Sequence, residues 1–188
     1  RRFVNDEPEH PNQDTARREA VTADHKPCVT LFGCADSRVA AEMIFDVGIG
    51  DMFVVRTAGH VIDSAVLGSI EYAVTVLEVP LIVVLGHDSC GAVDAAIKSL
   101  KDNSTLPGHL PSLVSAITPA VKATEGRPGD RLANAIRQNV IDNVAKLKTA
   151  TPILSAAVDQ GKLRIVGAVY RLTDGKVELV ADGKRPTT

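Results

Sequence analysis

Residues 80–91, Pro80-Leu81-Ile82-Val83-Val84-Leu85-Gly86-His87-Asp88-Ser89-Cys90-Gly91, hold an unbroken apolar run that stops at a glycine and passes into a polar turn. Such a run, without polar alternation, reads as a strand buried on both faces, the pattern of a parallel sheet packed between helices. Working outward, residues 27–32 repeat the pattern and end at Gly33, and residues 51–56 (Asp-Met-Phe-Val-Val-Arg) give another strand. Between these strands, Ile62, Val66, Ile70, Ala73 and Leu77 fall on one helical face. Further helices are expected over 39–45, 90–100, 113–123, 131–148 and 153–159, with a short one around 14–22. Residues 102–112, with Pro107, Gly108 and Pro111, read as loop. A last long strand over 162–172 turns at Asp174-Gly175 into a hairpin partner over 176–180. This order predicts an α/β fold: one domain with an open, mainly parallel four-stranded sheet, an antiparallel edge strand and flanking helices. Residues 1–26 are polar, carry Pro8 and Pro11, and read as an N-terminal arm; residues 27–188 read as the domain proper.

Composition narrows the function. The 188 residues carry 21 Lys and Arg against 23 Asp and Glu, a net charge of −2. That balance argues against a nucleic-acid binder, which shows a basic excess. The stretch 131–148 includes Asp142 and no aromatic residue, so it reads as a solvated helix face. No apolar run approaches the roughly 18 residues of a membrane helix. The opening residues Arg1 to Asp6 lack the apolar core of a secretory leader. Three cysteines (Cys28, Cys34, Cys90), an odd number without framework spacing, point to a reducing compartment and a cytoplasmic location. The glycines form neither GxGxxG nor a phosphate loop.

In open α/β sheets ligands bind beyond the carboxyl ends of the strands. The turns there read Gly33-Cys34-Ala35-Asp36-Ser37-Arg38, Arg56-Thr57-Ala58-Gly59-His60 and Gly86-His87-Asp88-Ser89-Cys90-Gly91. In a parallel sheet these turns share one edge, so Cys34, His87 and Cys90 are expected to converge. Two thiolates and an imidazole suit one Zn2+ per chain, with a fourth tetrahedral position open. Either cysteine alone reads more readily as a buried structural thiol; both at strand ends, one of them three residues from a histidine, read as metal ligands. Two thiolates cancel the charge of the cation and weaken its pull on a water, so a further group is needed to orient that water. Asp36, kept ionised by Arg38, fills that role; it also has the reach to become the fourth ligand in a closed state. As an alternative, Asp36 caps a helix and Arg38 lies on the surface. His60 reads as a hydrogen-bonded loop histidine or a proton relay, Cys28 as core packing, and Asp88 and Ser89 as caps of the helix near Cys90.

These residues resemble the β-class carbonic anhydrase family. The resemblance rests on Cys34-Ala35-Asp36-Ser37-Arg38-Val39, Val54-Val55-Arg56-Thr57-Ala58-Gly59-His60, Gly86-His87-Asp88-Ser89-Cys90-Gly91-Ala92-Val93 and Gly68-Ser69-Ile70-Glu71-Tyr72-Ala73. It is strong over 26–95 and weaker towards the C-terminus. It implies reversible hydration of CO2 to bicarbonate and a proton, with Cys34, His87 and Cys90 on zinc and Asp36 and Arg38 orienting a zinc hydroxide. It further implies a substrate pocket lined by Phe53, Ala58 and Tyr72, with the Gly91 N–H facing a substrate oxygen. The assembly it implies is a homodimer or dimer of dimers, with the N-terminal arm against the partner. Two positions depart from the family pattern. His25 stands where many members carry a glutamine that reaches a neighbouring subunit's pocket. Leu31 stands where one subgroup carries the tryptophan of an inhibitory bicarbonate site.

Two other enzyme-level or binding readings keep the same zinc site: hydrolysis of another small linear molecule such as carbon disulfide, and a non-catalytic zinc protein with Asp36 permanently ligated. A redox switch built on Cys34 and Cys90 is a third.

Overall fold

The computed structural model describes residues 1–181. In chain order its elements are α1 (Thr15–Ala20), β1 (Val29–Cys34), α2 (Ala41–Phe45), β2 (Met52–Thr57), a 3-10 turn (Ala58–His60), α3 (Ser64–Thr75) and β3 (Leu81–His87), followed by α4 (Gly91–Asp102), α5 (Leu110–Ala123), α6 (Arg131–Lys148), α7 (Ile153–Asp159), β4 (Arg164–Tyr170) and β5 (Val177–Ala181). The sheet order is β2-β1-β3-β4-β5. β1 runs parallel to β2 and β3, β3 runs parallel to β4, and β5 closes the edge antiparallel to β4. The expected architecture is therefore present. Residues 182–188, the end of the expected domain, lie outside the described residues.

This order places the topological switch point between β1 and β3, because the chain leaving β1 runs to β2 on one side and the chain leaving β3 runs to β4 on the other. A crevice opens at such a point beyond the carboxyl ends of the two strands. β1 and β3 each continue past the expected boundary, so that Cys34 is the last residue of β1 and His87 the last of β3. Pro27 contributes no ladder N–H, and β1 starts at Val29.

One face of the sheet packs Phe32, Ile82, Val84 and Ile165 against Val66 and Ile70 of α3, Val140 and Val144 of α6, and Leu154 of α7. The other face is covered more thinly, by Val39, Ala41 and Ile44 around α2, with Phe3 of the arm alongside. A third cluster joins Cys34 and Cys90 to Val93 of α4, Ile117 of α5 and Ile136 of α6, directly behind the switch point. α6 is therefore no solvated face throughout: Ala135, Ile136, Asn139, Val140, Asn143, Val144 and Leu147 form a buried stripe. It lies close on β3, where a Cβ at Gly86 would meet Val140 Cγ2 at 2.6 Å.

Three smaller expectations change. α5 starts at Leu110, inside the stretch read as loop, because Pro111 sits in the first turn, where a missing N–H breaks no helical bond. Cys28 is exposed, not core-packed: its N–H bonds the Asp51 carbonyl and its side chain stays outside the sheet. Asp88 does not cap α4; its carboxylate accepts from the Leu172 N–H at 3.0 Å and ties the β3–α4 turn to the end of β4.

Candidate metal centre

The β1 and β3 ends and the start of α4 bring three side chains together. The ligand atoms of Cys34, His87 and Cys90 lie within 4.8 Å of one another, and all three residues are buried. The two sulfurs are 4.0 Å apart, close to the roughly 3.8 Å edge of a tetrahedron with metal–sulfur bonds near 2.3 Å. His87 Nδ1 donates to the Asp88 carbonyl at 2.8 Å. That bond fixes the tautomer and leaves the Nε2 lone pair free. Nε2 is buried with no hydrogen-bond partner among the described residues, a costly state for a polar atom unless something else takes its lone pair. Two soft sulfur donors and an imidazole nitrogen, one of them orphaned and aimed inward, fit a divalent metal of zinc's preferences.

The electrostatics of the two thiols agree with that donor set. The Cys90 thiol beside it holds Cys34 well below the usual thiol range, against the opposing effect of burial, with His87 and the Gly59 N–H adding to the shift. Cys90 in turn is pushed far up by Cys34 and by burial. The close approach thus favours ionisation of Cys34 and opposes that of Cys90, and a bound cation favours the thiolate form of both.

Asp36 and Arg38 stand at the rim. Arg38 Nε and Nη2 donate to the two Asp36 oxygens at 2.9 and 2.7 Å, and the Arg38 N–H adds a third bond at 2.9 Å. This fork, first of all, holds the Asp36 carboxylate well below its ordinary range, against partial burial. Asp36 Oδ2 is 3.8 Å from His87 Nε2, near the ligand group but engaged with Arg38. Arg38 Nη2 also reaches the Ser89 carbonyl at 3.2 Å, linking the turns after β1 and β3.

Two supports were not read from the sequence as parts of this site. Arg56 Nε and Nη2 donate to the carbonyls of Cys34 and Asp36 at 2.8 and 2.6 Å, fixing the backbone that carries both side chains. Gly59 donates its N–H to Cys34 Sγ at 3.3 Å. Its φ of 67° is left-handed, and a Cβ there would meet Ile117 Cδ1 at 2.6 Å, so only glycine fits. His60, next in the chain, is wholly buried, and burial brings its pKa down to about 4. Its Nε2 accepts from Asn139 Nδ2 at 3.0 Å, while its Nδ1 is buried with no hydrogen-bond partner among the described residues.

The residues expected to line a substrate pocket divide. Ala58 follows β2 directly beside Gly59, and Gly91 follows Cys90 with its backbone exposed at the start of α4. Phe53 is in register with Thr30, four residues before Cys34, about 13 Å down the sheet. Its ring packs on Tyr72 of α3, centroids 6.2 Å apart, and Tyr72 is exposed. His25 is exposed ahead of the opposite end of β1. Within one chain, Phe53, Tyr72 and His25 are therefore not brought to the sulfurs, because the strand direction separates them.

Comparison with known proteins agrees with this geometry. The family profile described as "Carbonic anhydrase" matches residues 29–177. Carbonic anhydrase 2 of Mycobacterium tuberculosis is 52% identical over 178 residues, covering 95% of this chain and 86% of that protein. The carbonic anhydrase of Mycolicibacterium smegmatis is 50% identical over the same shares of both chains. Among solved structures, the β-carbonic anhydrase of Coccomyxa, in complex with acetazolamide, superposes with a TM-score of 0.73 at 26% identity, over 86% of this chain and 75% of that one. The β-carbonic anhydrase CcaA gives a TM-score of 0.75 at 25% identity, over 89% and 83%.

Proposed function

The chain belongs to the β-class carbonic anhydrase family and is an enzyme of it, and on that premise we propose that it hydrates CO2 reversibly to bicarbonate and a proton at one zinc ion held by Cys34, His87 and Cys90. The observation that carries this reading is the buried pair of sulfurs 4.0 Å apart, facing a histidine nitrogen with no other partner among the described residues, beside a carboxylate already committed to an arginine. A zinc ion there supplies the Lewis acidity that makes a water nucleophilic near neutral pH.

The chain's own residues do the rest. Asp36, ionised by the Arg38 fork, accepts a hydrogen bond from the water and turns a lone pair towards the carbon of CO2. The Gly91 N–H, at the first turn of α4, is placed to donate to an oxygen that gains charge as bicarbonate forms. The products are one bicarbonate and one proton, which passes to solvent. Because Asp36 sits on Arg38 and leaves a coordination position free, catalysis fits better than a closed, purely structural metal.

The pocket is completed by a second copy of the chain in a homodimer or a dimer of dimers. Phe53, Tyr72 and His25 lie far from their own chain's sulfurs but on exposed or half-exposed ground, where a neighbour's site can use them. The N-terminal arm is the expected partner contact, residues 27–188 form the catalytic domain, and the thiol ligands suit a reducing, cytoplasmic setting. No described helix is long and apolar enough to cross a membrane.

Stopped-flow CO2 hydration on zinc-loaded protein tests the proposal. Cys34→Ser and Cys90→Ser are expected to lose zinc and turnover together, and a metal-free variant that still hydrates CO2 would refute it. Carbon disulfide in the same assay separates the alternative substrate.

A further inference from the structure

The turn Ala58–His60 places two successive residues in left-handed backbone, Gly59 at φ 67° and His60 at φ 44°. Glycine tolerates this freely, whereas a histidine pays a modest conformational cost that its surroundings offset. The holding groups come from one helix. Asn139 Nδ2 donates to the Gly59 carbonyl and to His60 Nε2, each at 3.0 Å. Asn143 Nδ2, one turn further along α6, donates to the His60 carbonyl at 3.0 Å. Asn139, Asn143 and His60 are all buried, at 3%, 2% and 0% exposure. Two asparagines at i and i+4 stand in a stripe otherwise made of Ala, Ile, Val and Leu. Burying them is unfavourable unless their amides are used. What the held turn presents to the site is one N–H, that of Gly59, aimed at Cys34 Sγ.

We infer that Asn139 and Asn143 are positioning residues of the metal centre: by fixing the Ala58–His60 turn they hold the Gly59 N–H on the Cys34 sulfur and draw charge away from it. This rests on the reading of Cys34 as a metal ligand. Two thiolates neutralise a divalent cation and blunt its Lewis acidity. A hydrogen bond donated to one ligating sulfur weakens that sulfur's donation and returns part of the acidity. The asparagines touch neither substrate nor metal; their effect travels through two backbone groups and one N–H.

Cobalt(II) substitution tests this, because sulfur-to-cobalt charge-transfer bands in the near ultraviolet report the electron density on the ligating sulfurs. Asn139→Ala removes two of the three bonds, so its bands are expected at longer wavelength than in the unmodified protein, with turnover of the zinc form down about tenfold. Asn143→Ala removes one bond and is expected to shift the bands the same way by less. It also serves where Asn139→Ala fails to fold. Val144→Ala, in the core stripe of the same helix, loosens α6 without touching the turn and leaves the bands in place. Bands of Asn139→Ala or Asn143→Ala that superimpose on those of the unmodified protein would overturn the inference, as would an equal shift in Val144→Ala. If the unmodified protein binds cobalt(II) without any such band, the ligand reading itself fails, and the two failures are told apart.

Discussion

Asp36 is the residue at which position and charge are set by separate groups. Arg56 fixes its backbone through the carbonyl at 2.6 Å, while Arg38 fixes its carboxylate. Asp36→Asn keeps the shape and removes the ionised acceptor. Zinc content is expected to stay near one per chain while turnover falls by about 100-fold or more; paired metal analysis and stopped-flow rates check it. His60 supplies a second residue-level expectation, in stability. Its folded-state pKa of about 4 lies below the unfolded value of 6.5, because burial penalises the imidazolium. Between those pH values the unfolded chain binds more protons, so stability is full above about 6.5 and falls as pH drops towards 4. The loss attributable to His60 at pH 4.5 is about 2.5 kcal/mol. Urea melts at pH 7.0 and 4.5 should show a smaller pH effect in His60→Gln than in the unmodified protein.

At the scale of elements, the packing of α6 on β3 holds the back wall of the site. Gly86 precedes the ligand His87, and a methyl there would press on Val140 at 2.6 Å. Gly86→Ala is expected to cost about 1–3 kcal/mol by overpacking. Val140→Ala alone costs about 2 kcal/mol. Combined, the two should cost clearly less than their sum, since the small residue at 140 makes room for the methyl; strict additivity in denaturant melts would refute the close approach. The same elements show what a sequence reveals. Cys34, His87 and Cys90 were legible because strand ends in a parallel sheet share an edge, a rule of topology that needs no coordinates. The limits of α6 and α7 followed from periodicity and matched residue for residue. Asn139 and Asn143 escaped because their partners lie some 80 positions away in the chain. Their one local signal was polarity at i and i+4 on an apolar stripe. Cys28 escaped for a different reason: an apolar residue at the mouth of a strand carries no mark of which way its side chain points.

For the whole molecule, the first residues fold back on their own chain. Asp46, at the end of α2, accepts from the Arg2 side chain and from the N–H groups of Glu9 and His10, the latter two at 3.0 Å each. Arg17 and Asn12 meet the Asp51 carboxylate. The arm thereby covers part of the thin face of the sheet, while Tyr72 of α3 and Val76 just after it remain exposed at 49% and 58%. If these exposed groups serve a neighbour's pocket, chains defective at different positions should complement. Cys34→Ser and Tyr72→Ala chains, each weak alone, are expected when co-expressed to form mixed dimers with one complete site and activity above the sum of the two. Activity equal to the sum would place Tyr72 outside the pocket.

The central claim is that two sulfurs and one nitrogen of this chain hold a metal and leave room beside it. X-ray absorption at the zinc edge of the purified enzyme measures this most directly. The expected shell is two sulfurs near 2.3 Å, one nitrogen near 2.0–2.1 Å and one light oxygen-type scatterer, unchanged in Asp36→Asn. Protein that carries no zinc while Cys34 and Cys90 react freely with alkylating reagent, or a shell with fewer than two sulfurs, would contradict it.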